Sequence, residues 1–291
     1  MKAYLFPGQG TQFPGMGKAL YNTHPIAKAV FEAANDWLGL RITDIMFSGT
    51  PTELQATHKA QLAVFLYGIA AARTTPNFLP QMVAGHSLGE YTALVASQVL
   101  TFEDGLRLVD TRARAMEAAC TSRSGTMAAI LGLDPSRIAE ICAAVDDVVV
   151  PANDNCPGQM VISGTTEAVQ AAAKVAKAAG AKKVIFLQVG GGFHSPLMVP
   201  ASQELAQSIA STSFRAGICP IYQNVNGQPV TDPTILKAQL IQQLTAPVLW
   251  TQTLRNMMHD GATHFMTYGP GHVLEGLVRK IDTSVRVSSM G

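Results

Sequence analysis

The sequence lacks an excess of charge of either sign. Among its 291 residues, 21 are Lys or Arg and 20 are Asp or Glu, which gives a net charge of +1 with histidine neutral. The basic residues form no run or stripe, so the long-range electrostatic attraction that nucleic-acid binding requires is missing. An acidic protein partner could still bind a local patch, but a nucleic-acid-binding protein is not indicated.

Cysteine and metal-ligand patterns are also scarce. Four cysteines lie far apart without a C-x-x-C pair, and the seven histidines have no spacing typical of metal ligands. We therefore expect no structural zinc or other metal site, and a reducing compartment.

No apolar run is long enough to cross a membrane. The longest, residues 62–72, is bounded by Gln61 and Arg73, whereas a membrane-spanning helix needs roughly 20 apolar residues. Residues 1–3 lead directly into a predicted strand and not into the apolar core of a signal peptide. We expect a soluble, cytoplasmic protein.

What the sequence does contain is an alternation of strand and helix patterns. With 47% hydrophobic residues, the chain can bury a sizeable core. The patterns predict strands at 3–6 and 81–84, and helices at 26–37, 60–72, 90–99 and 103–119. This alternation is typical of an α/β protein with a parallel sheet.

The pattern changes at Gly125. It then predicts a strand at 127–132, a helix at 135–145, strands at 148–152 and 160–163, a helix at 166–179 and a strand at 183–189. This order is the split βαβ arrangement, which can fold around its own core. We expect residues 125–189 to form a small subdomain inserted into a large α/β domain made of residues 1–124 and 190–291. In the last part, the patterns predict helices at 203–209, 234–244, 253–259 and 273–281 and a strand at 264–267.

The most informative motif is Gly85-His86-Ser87-Leu88-Gly89, between a predicted strand and a predicted helix. A G-x-S-x-G turn in this context is typical of a nucleophile elbow, in which glycines allow the strand and the helix to approach each other. Such a turn exposes the Ser87 hydroxyl and places the N–H of Leu88 at a helix N-terminus, where it can stabilise an oxyanion.

A serine nucleophile needs a base, and His194 is the best candidate. It lies in the glycine-rich loop 190–196, where the small subdomain would return to the large one, and a cleft between domains is a common place for a site. A flexible hinge with an incidental histidine is the alternative. His86 is expected to pack against or support the turn, and the remaining histidines fit surface or core roles.

The loop Gly8-Gln9-Gly10 follows the first strand but fits neither common phosphate-binding motif. Met16 stands where a P-loop requires lysine, and the third glycine of a dinucleotide fingerprint is missing. In an α/β sheet this loop lies beside the elbow, so the N–H of Gln9 could be a second oxyanion donor.

Arg112 and Arg114 lie on the predicted helix after the elbow. A surface salt bridge is the ordinary role of a helical arginine. The apolar surroundings would also suit one buried guanidinium that binds a carboxylate through two parallel hydrogen bonds. The sequence leaves both readings open.

Taken together, these motifs resemble the malonyl-CoA:acyl carrier protein transacylases and the acyltransferases of polyketide synthesis. The resemblance extends over almost the whole chain. The matching motifs are G-Q-G-x-Q at 8–12, G-H-S-L-G-E at 85–90, the helix with Arg112, N-x-N-x-P-x-Q-x-V-I-S-G at 153–164, F-H-S at 193–195, Gln243 with P-V-L-W at 247–250, and G-P-G-H-V-L at 269–274.

The resemblance implies a hydrolase-like α/β large domain and a ferredoxin-like βαββαβ small subdomain. It implies that Ser87 is acylated, that His194 is its general base, and that the backbone carbonyl of Gln243 orients the imidazole. The N–H groups of Gln9 and Leu88 would form the oxyanion hole, and Arg112 would bind the malonyl carboxylate. Malonyl-CoA would be the donor substrate, with no permanently bound cofactor.

The acceptor implied by the resemblance is the phosphopantetheine thiol of a separate acyl carrier protein, in fatty acid or polyketide synthesis. Leu88 and Phe193 resemble the residues of malonyl-selective members. Gly192, Thr11 and Cys156 depart from the usual alanine, serine and serine, and Gly192 could widen the acyl pocket. We expect a free-standing enzyme, since the sequence shows no carrier-protein or ketosynthase segment. Segments 1–10 and 179–183 favour the trans-acting polyketide type over fatty acid synthesis.

Two other functions remain open. One is a hydrolase that removes stalled acyl groups from carrier proteins, because the same serine and histidine would serve water as acceptor. Arg112 argues against it, since proofreading relatives tend to lack this arginine. The other is a catalytically silent docking module in a synthase.

Overall fold

The computed structural model describes residues 1–290, which contain two β-sheets. The strands are β1 (Lys2–Phe6), β2 (Met82–Gly85), β3 (Gly125–Leu131), β4 (Val149–Cys156), β5 (Gln159–Thr165), β6 (Lys183–Phe186), β7 (Ile221–Tyr222), β8 (Pro229–Val230), β9 (His264–Thr267) and β10 (Arg286–Ser289). The helices are α1 (Lys18–Thr23), α2 (Pro25–Leu38), α3 (Ile42–Ser48), α4 (Pro51–Gln55), α5 (Thr57–Thr74), α6 (Gly89–Ala96), α7 (Phe102–Ser122), α8 (Pro135–Ala143), α9 (Thr166–Ala178), α10 (Val199–Ser211), α11 (Pro233–Gln242), α12 (Trp250–His259) and α13 (Val273–Ile281).

The larger sheet has the strand order β10-β9-β1-β2-β7-β8 and is parallel except for β8. Strand β1 alternates its side chains between two cores. Tyr4 and Phe6 face the core around α5, and Ala3 and Leu5 face the core formed with α12 and α13. The mixed α/β fold and the parallel sheet expected from the sequence are therefore confirmed.

The apolar run of residues 62–72 is the centre of α5, and almost every side chain of that helix is buried. A helix that is apolar on all sides belongs in a core or a membrane. Here α2, α6 and α7 pack around it. No helix among residues 1–290 combines the length and the low polarity needed to cross a membrane.

The smaller sheet has the order β4-β5-β3-β6, and its neighbouring strands are antiparallel. Helices α8 and α9 pack on one face, around a cluster that includes Ile130, Ile138 and Val169. Pro135 at the first turn of α8 and Gly180 after α9 mark the helix bounds that the sequence predicted.

Three glycines, Gly125, Gly164 and Gly192, pack against one another where the chain passes between the two sheets. A Cβ on Gly125, where β3 begins, would lie 2.6 Å from the nitrogen of Gly192 and 2.9 Å from the oxygen of Gly164. Since real Cβ atoms do not approach backbone this closely, glycine is required for the contact. The chain therefore enters and leaves the segment of the small sheet at adjacent positions.

Several predicted bounds are wrong. Strand β4 continues to Cys156 instead of ending at 152, and the last strand of the small sheet ends at Phe186 instead of 189. Helices α1, α3 and α4 and strands β7, β8 and β10 were not predicted. Each is short, at most seven residues, so its hydrophobic period is weak.

Candidate active site

Ser87 occupies a sharp turn between β2 and α6. Its φ is 51°, in the left-handed region that residues with side chains rarely adopt. A Cβ on Gly85 would lie 1.9 Å from the backbone of Gly89, and a Cβ on Gly89 would lie 2.1 Å from the oxygen of Phe6. Only glycine at both positions allows this approach, so the sequence of the turn determines its backbone.

Asn224 holds this turn in place, a role that the sequence did not predict. The N–H of Ser87 donates to Asn224 Oδ1 over 2.7 Å, and Asn224 Nδ2 donates to the oxygen of Gly85 over 2.7 Å. The available signal was positional, because Asn224 follows β7 at the sheet edge where β2 also ends. Polar residues at the carboxyl ends of parallel strands commonly line a site.

A buried carboxyl group supports Asn224 in turn. Glu90 is fully buried in α6 and accepts hydrogen bonds from the N–H of Asn224 and from Gln223 Nε2, both over 2.9 Å. Burial raises the pKa of the Glu90 carboxyl, and these donors act in the opposite direction. Glu90, the last residue of the G-H-S-L-G-E motif, therefore supports the turn at Ser87 through Asn224.

His194 lies directly opposite the serine. Its Nε2 is 2.7 Å from Ser87 Oγ, although the two residues are 107 positions apart in the chain. His194 also has a positive φ, 56°, and is 3% exposed. The structure thus brings the two predicted reactive residues together at hydrogen-bond distance.

The hydrogen bonds of the other ring nitrogen determine the tautomer of His194. Nδ1 of His194 is 3.0 Å from the carbonyl of Gln243 and 3.1 Å from the carbonyl of Ala246. Both carbonyls accept hydrogen bonds, so Nδ1 carries the proton and Nε2 accepts the hydrogen bond of the Ser87 hydroxyl. Both Gln243, which the sequence singled out, and Ala246, which it did not, therefore have their carbonyl oxygens at the His194 ring.

The imidazole is held neutral. Burial, with a contribution from the neighbouring positive charge of Arg112, lowers the pKa of His194 from 6.5 to about 3. A neutral imidazole with a free Nε2 lone pair can accept a proton from serine.

Arg112 is buried, which excludes the surface salt bridge that the sequence left open. It is 1% exposed, and its Nη2 donates to Ser87 Oγ over 3.0 Å. Burial lowers the pKa of the guanidinium, and no Asp or Glu of residues 1–290 forms an ion pair with it. Arg114, in contrast, is exposed and pairs with Asp110 at 2.9 Å, the ordinary surface role.

Two glutamines orient the arginine. Gln61 of α5 is fully buried and accepts from Arg112 Nη1 over 2.6 Å, and Gln243 Oε1 accepts from Nη2 over 3.4 Å. Gln243 also donates from Nε2 to the carbonyl of Ser87 over 2.9 Å. The Nε of Arg112 has no partner within the described residues, so this cation keeps unused capacity to donate hydrogen bonds.

Ser87, His194 and Arg112 lie in a cleft of about 470 Å³. Gln9 and Phe193, which the sequence also singled out, line this cleft. Among residues 1–290, no acceptor is within hydrogen-bond distance of the N–H of Gln9 or of Leu88.

One sequence expectation on the acyl pocket needs correction. Gly192 does not widen the pocket, because a Cβ there would point at the oxygen of Gly164, 2.7 Å away. The side chain of Leu88 packs in the core behind the turn.

Two other histidines, His86 and His58, have partners of their own. His86 packs edge-on against Trp250 with ring centroids 5.3 Å apart, and its Nε2 is 2.9 Å from Asn155 Oδ1. His58 pairs with Asp110. Within residues 1–290, no group of three or more potential ligands could hold a metal ion.

Comparison with known proteins agrees with this geometry. Residues 3–282 match the acyl transferase domain family. The malonyl CoA-acyl carrier protein transacylase of Bacillus subtilis is 40% identical over 98% of this chain and 91% of its own length. The chain therefore belongs to the acyltransferase family, and within it to the malonyl-CoA:acyl carrier protein transacylases.

Solved structures show the same fold. The acyl-carrier-protein S-malonyltransferase of Bartonella henselae superposes with a TM-score of 0.95 at 37% identity, covering all of this chain and 95% of its own. A malonyl-transacylase in complex with its type II PKS acyl-carrier protein gives a TM-score of 0.93 at 35% identity, over 99% of this chain and 94% of its own.

Proposed function

We propose that this protein transfers a malonyl group from coenzyme A to the pantetheine thiol of an acyl carrier protein through an acyl-serine intermediate. The observation that carries the proposal is the contact of Ser87 Oγ with both His194 Nε2, at 2.7 Å, and Arg112 Nη2, at 3.0 Å. The base can take the proton of the attacking hydroxyl, and the cation can bind the free carboxylate of a diacid. Family membership supports the same reaction.

In the first half-reaction, Ser87 Oγ attacks the thioester carbonyl as His194 Nε2 takes its proton. The Gln243 and Ala246 carbonyls stabilise the imidazolium that forms, in the position where many triads have a carboxylate. The free N–H groups of Gln9 and Leu88 bind the tetrahedral oxyanion. Loss of CoA, protonated by His194, leaves the malonyl-serine ester.

In the second half-reaction, the carrier's pantetheine thiol enters the same cleft. His194 takes the thiol proton, the sulfur attacks the ester carbonyl, and the serine oxygen leaves with the proton from His194. The product is malonyl-carrier, and Ser87 is restored.

Arg112 selects the malonyl group. A buried guanidinium without a carboxylate partner is unfavourable, and the free carboxylate of malonyl would supply that partner through two parallel hydrogen bonds. Gln61 fixes the plane of the guanidinium, so the acyl chain is bound in one orientation. Phe193 forms part of the adjoining wall.

The proposal includes the division of the chain into two domains. We assign residues 1–124 and 190–291 to a hydrolase-like large domain with a nucleophile elbow at Ser87. Residues 125–189 form a ferredoxin-like βαββαβ subdomain, supported by the strand order β4-β5-β3-β6 with two helices on one face. The malonyl-carrier product would serve polyketide or fatty acid synthesis.

The test is transfer from malonyl-CoA to a holo carrier protein, followed by mass spectrometry of the carrier, with Ser87→Ala as the control. We expect malonyl-carrier with the native protein and none with the variant. Release of free malonate without transfer would support the hydrolase, and carrier binding without acylation would support a docking module; either result contradicts the proposal.

A further inference from the structure

The reaction just described leaves unexplained the two asparagines of the N-x-N motif, Asn153 and Asn155. Both line the cleft that contains Ser87. Asn155 Oδ1 is engaged by His86 Nε2 at 2.9 Å. Asn153 is only 5% exposed, yet within residues 1–290 its carboxamide has no hydrogen-bond partner.

The backbone of β4 is shaped to present these side chains. The register between β4 and β5 shifts twice, between Pro151 and Asn153 and again between Asp154 and Cys156. Such bulges insert an extra residue and turn a side chain in a new direction, and they are frequent next to active sites. An amide in the wall of a cleft that has no partner in the protein keeps its donor and acceptor atoms available for a ligand.

Asn153 is also fixed relative to the reactive residues. The N–H of Val248 donates to the oxygen of Ala152 over 2.8 Å, and the N–H of Asp154 donates to the oxygen of Val248 over 3.0 Å. Val248 lies two residues after Ala246, whose carbonyl contacts the His194 ring. The two neighbours of Asn153 are thus bound to Val248, and Val248 belongs to the segment that orients the base.

The ligand that fits must satisfy a carboxamide, which has both donor and acceptor atoms. A secondary amide matches it, because it offers one N–H and one C=O. The pantetheine arm contains two such amides, and the donor thioester and the carrier thioester share that arm. The residues that line the cleft also include the apolar Val273, Leu274 and Leu277, which suit the methylene and methyl groups of the same arm.

We propose that the Asn153 carboxamide hydrogen-bonds to an amide of the pantetheine arm in both half-reactions. The contact positions the thioester carbonyl over Ser87 without touching the malonyl group. This inference rests on the proposed function, since it concerns the arm of that reaction's substrates.

The test compares three malonyl thioesters on the native protein and on Asn153→Ala: malonyl-CoA, malonyl-pantetheine and S-propyl malonyl thioester, which has no amide. We expect kcat/KM for acylation to fall about ten-fold with the first two, the effect of one neutral hydrogen bond, and by less than about two-fold with the third. Asn22→Ala, at an exposed position away from the cleft, is the control and should leave all three unchanged.

Equal losses on all three thioesters would overturn the proposal, because they would indicate a general structural defect. Unchanged kcat/KM on all three would overturn it as well. A loss with malonyl-CoA alone would place the contact on the nucleotide part of CoA instead. If Asn153→Ala does not fold, Asn153→Ser removes the long carboxamide with less change in polarity and answers the same question. Malonylation of the native protein is measured in the same experiment, so failure of the proposed function appears separately, as no acylation from any thioester.

Discussion

At the scale of single residues, both reactive side chains lie on strained backbone. Ser87 and His194 have φ angles of 51° and 56°, which cost about 1 kcal/mol or more each. Surrounding contacts maintain this strain: Asn224 binds the turn at Ser87, and the carbonyls of Gln243 and Ala246 bind the His194 ring. These contacts hold the two side chains at hydrogen-bond distance, 2.7 Å apart.

The first residue-scale prediction concerns Arg112. Replacement by alanine removes a charge-assisted pair with the malonyl carboxylate, so kcat/KM for malonyl-CoA should fall about 100-fold or more. The value for acetyl-CoA, which has no free carboxylate, should fall much less. Steady-state kinetics with both substrates measure the difference.

Arg114→Ala is the matched control, because Arg114 lies on the same helix in an exposed ion pair. Its effect should stay below about two-fold. If Arg112→Ala reduced turnover of both acyl groups equally, Arg112 would have a structural role and not a selective one.

The second residue-scale prediction concerns pH. Because burial lowers the pKa of His194 from 6.5 to about 3, the folded enzyme keeps the base neutral in mild acid. The rate of Ser87 acylation should therefore be flat from about pH 8 to about pH 5. Single-turnover mass spectrometry measures this rate, and an acid limb with a midpoint near 6.5 would contradict the account.

The same shift has a consequence for stability. Between pH 6.5 and about 3, the unfolded chain binds a proton at His194 that the folded protein does not bind. The free energy of unfolding should therefore decrease as pH falls through this interval. In His194→Gln, which does not titrate, that part of the decrease should be missing from urea unfolding curves; identical pH dependence in both proteins would argue against a buried neutral imidazole.

At the scale of elements, the close approach of β2 and α6 is the feature that the sequence predicted most directly. The two glycines of G-x-S-x-G have no room for a Cβ. Asn224, which holds the turn, could not be predicted in the same way, because it follows a two-residue strand whose pattern is too short to recognise. The residues of the motif were thus readable from the sequence, and the asparagine that holds the turn was not.

The element-scale prediction compares two glycines. Gly89→Ala should destabilise the protein by about 1–3 kcal/mol or more, because its Cβ would lie 2.1 Å from the oxygen of Phe6. Gly276→Ala, within α13, should stabilise it by about 0.5–1 kcal/mol, because nothing lies within 4 Å of the added atom. Urea unfolding of both variants measures the difference, and similar effects at the two positions would mean that the approach at Gly89 is looser than described.

At the scale of the whole molecule, the sequence predicted the parallel sheet because strand patterns alternate with helix patterns along the chain. The convergence of Ser87, His194, Arg112 and Gln243 was expected from the resemblance alone, and not from the pattern of strands and helices. Gln61 and Asn224 were not expected at the site, and the tertiary fold brings them from separate segments to Arg112 and to the backbone of Ser87. The burial of Arg112 likewise depends on the packing of α5 against α7, which the helical pattern alone does not specify.

The central claim is that Ser87 and His194 act as one nucleophilic unit, with Arg112 holding the acyl group. The most direct test is the intact mass of the protein after brief incubation with malonyl-CoA, followed by peptide mapping, for the native chain, Ser87→Ala and His194→Ala. The account predicts one malonyl group on the Ser87 peptide of the native protein, none on Ser87→Ala, and strongly slowed labelling of His194→Ala. Malonylation at full rate without the Ser87 hydroxyl, or no adduct on the native protein, would contradict it.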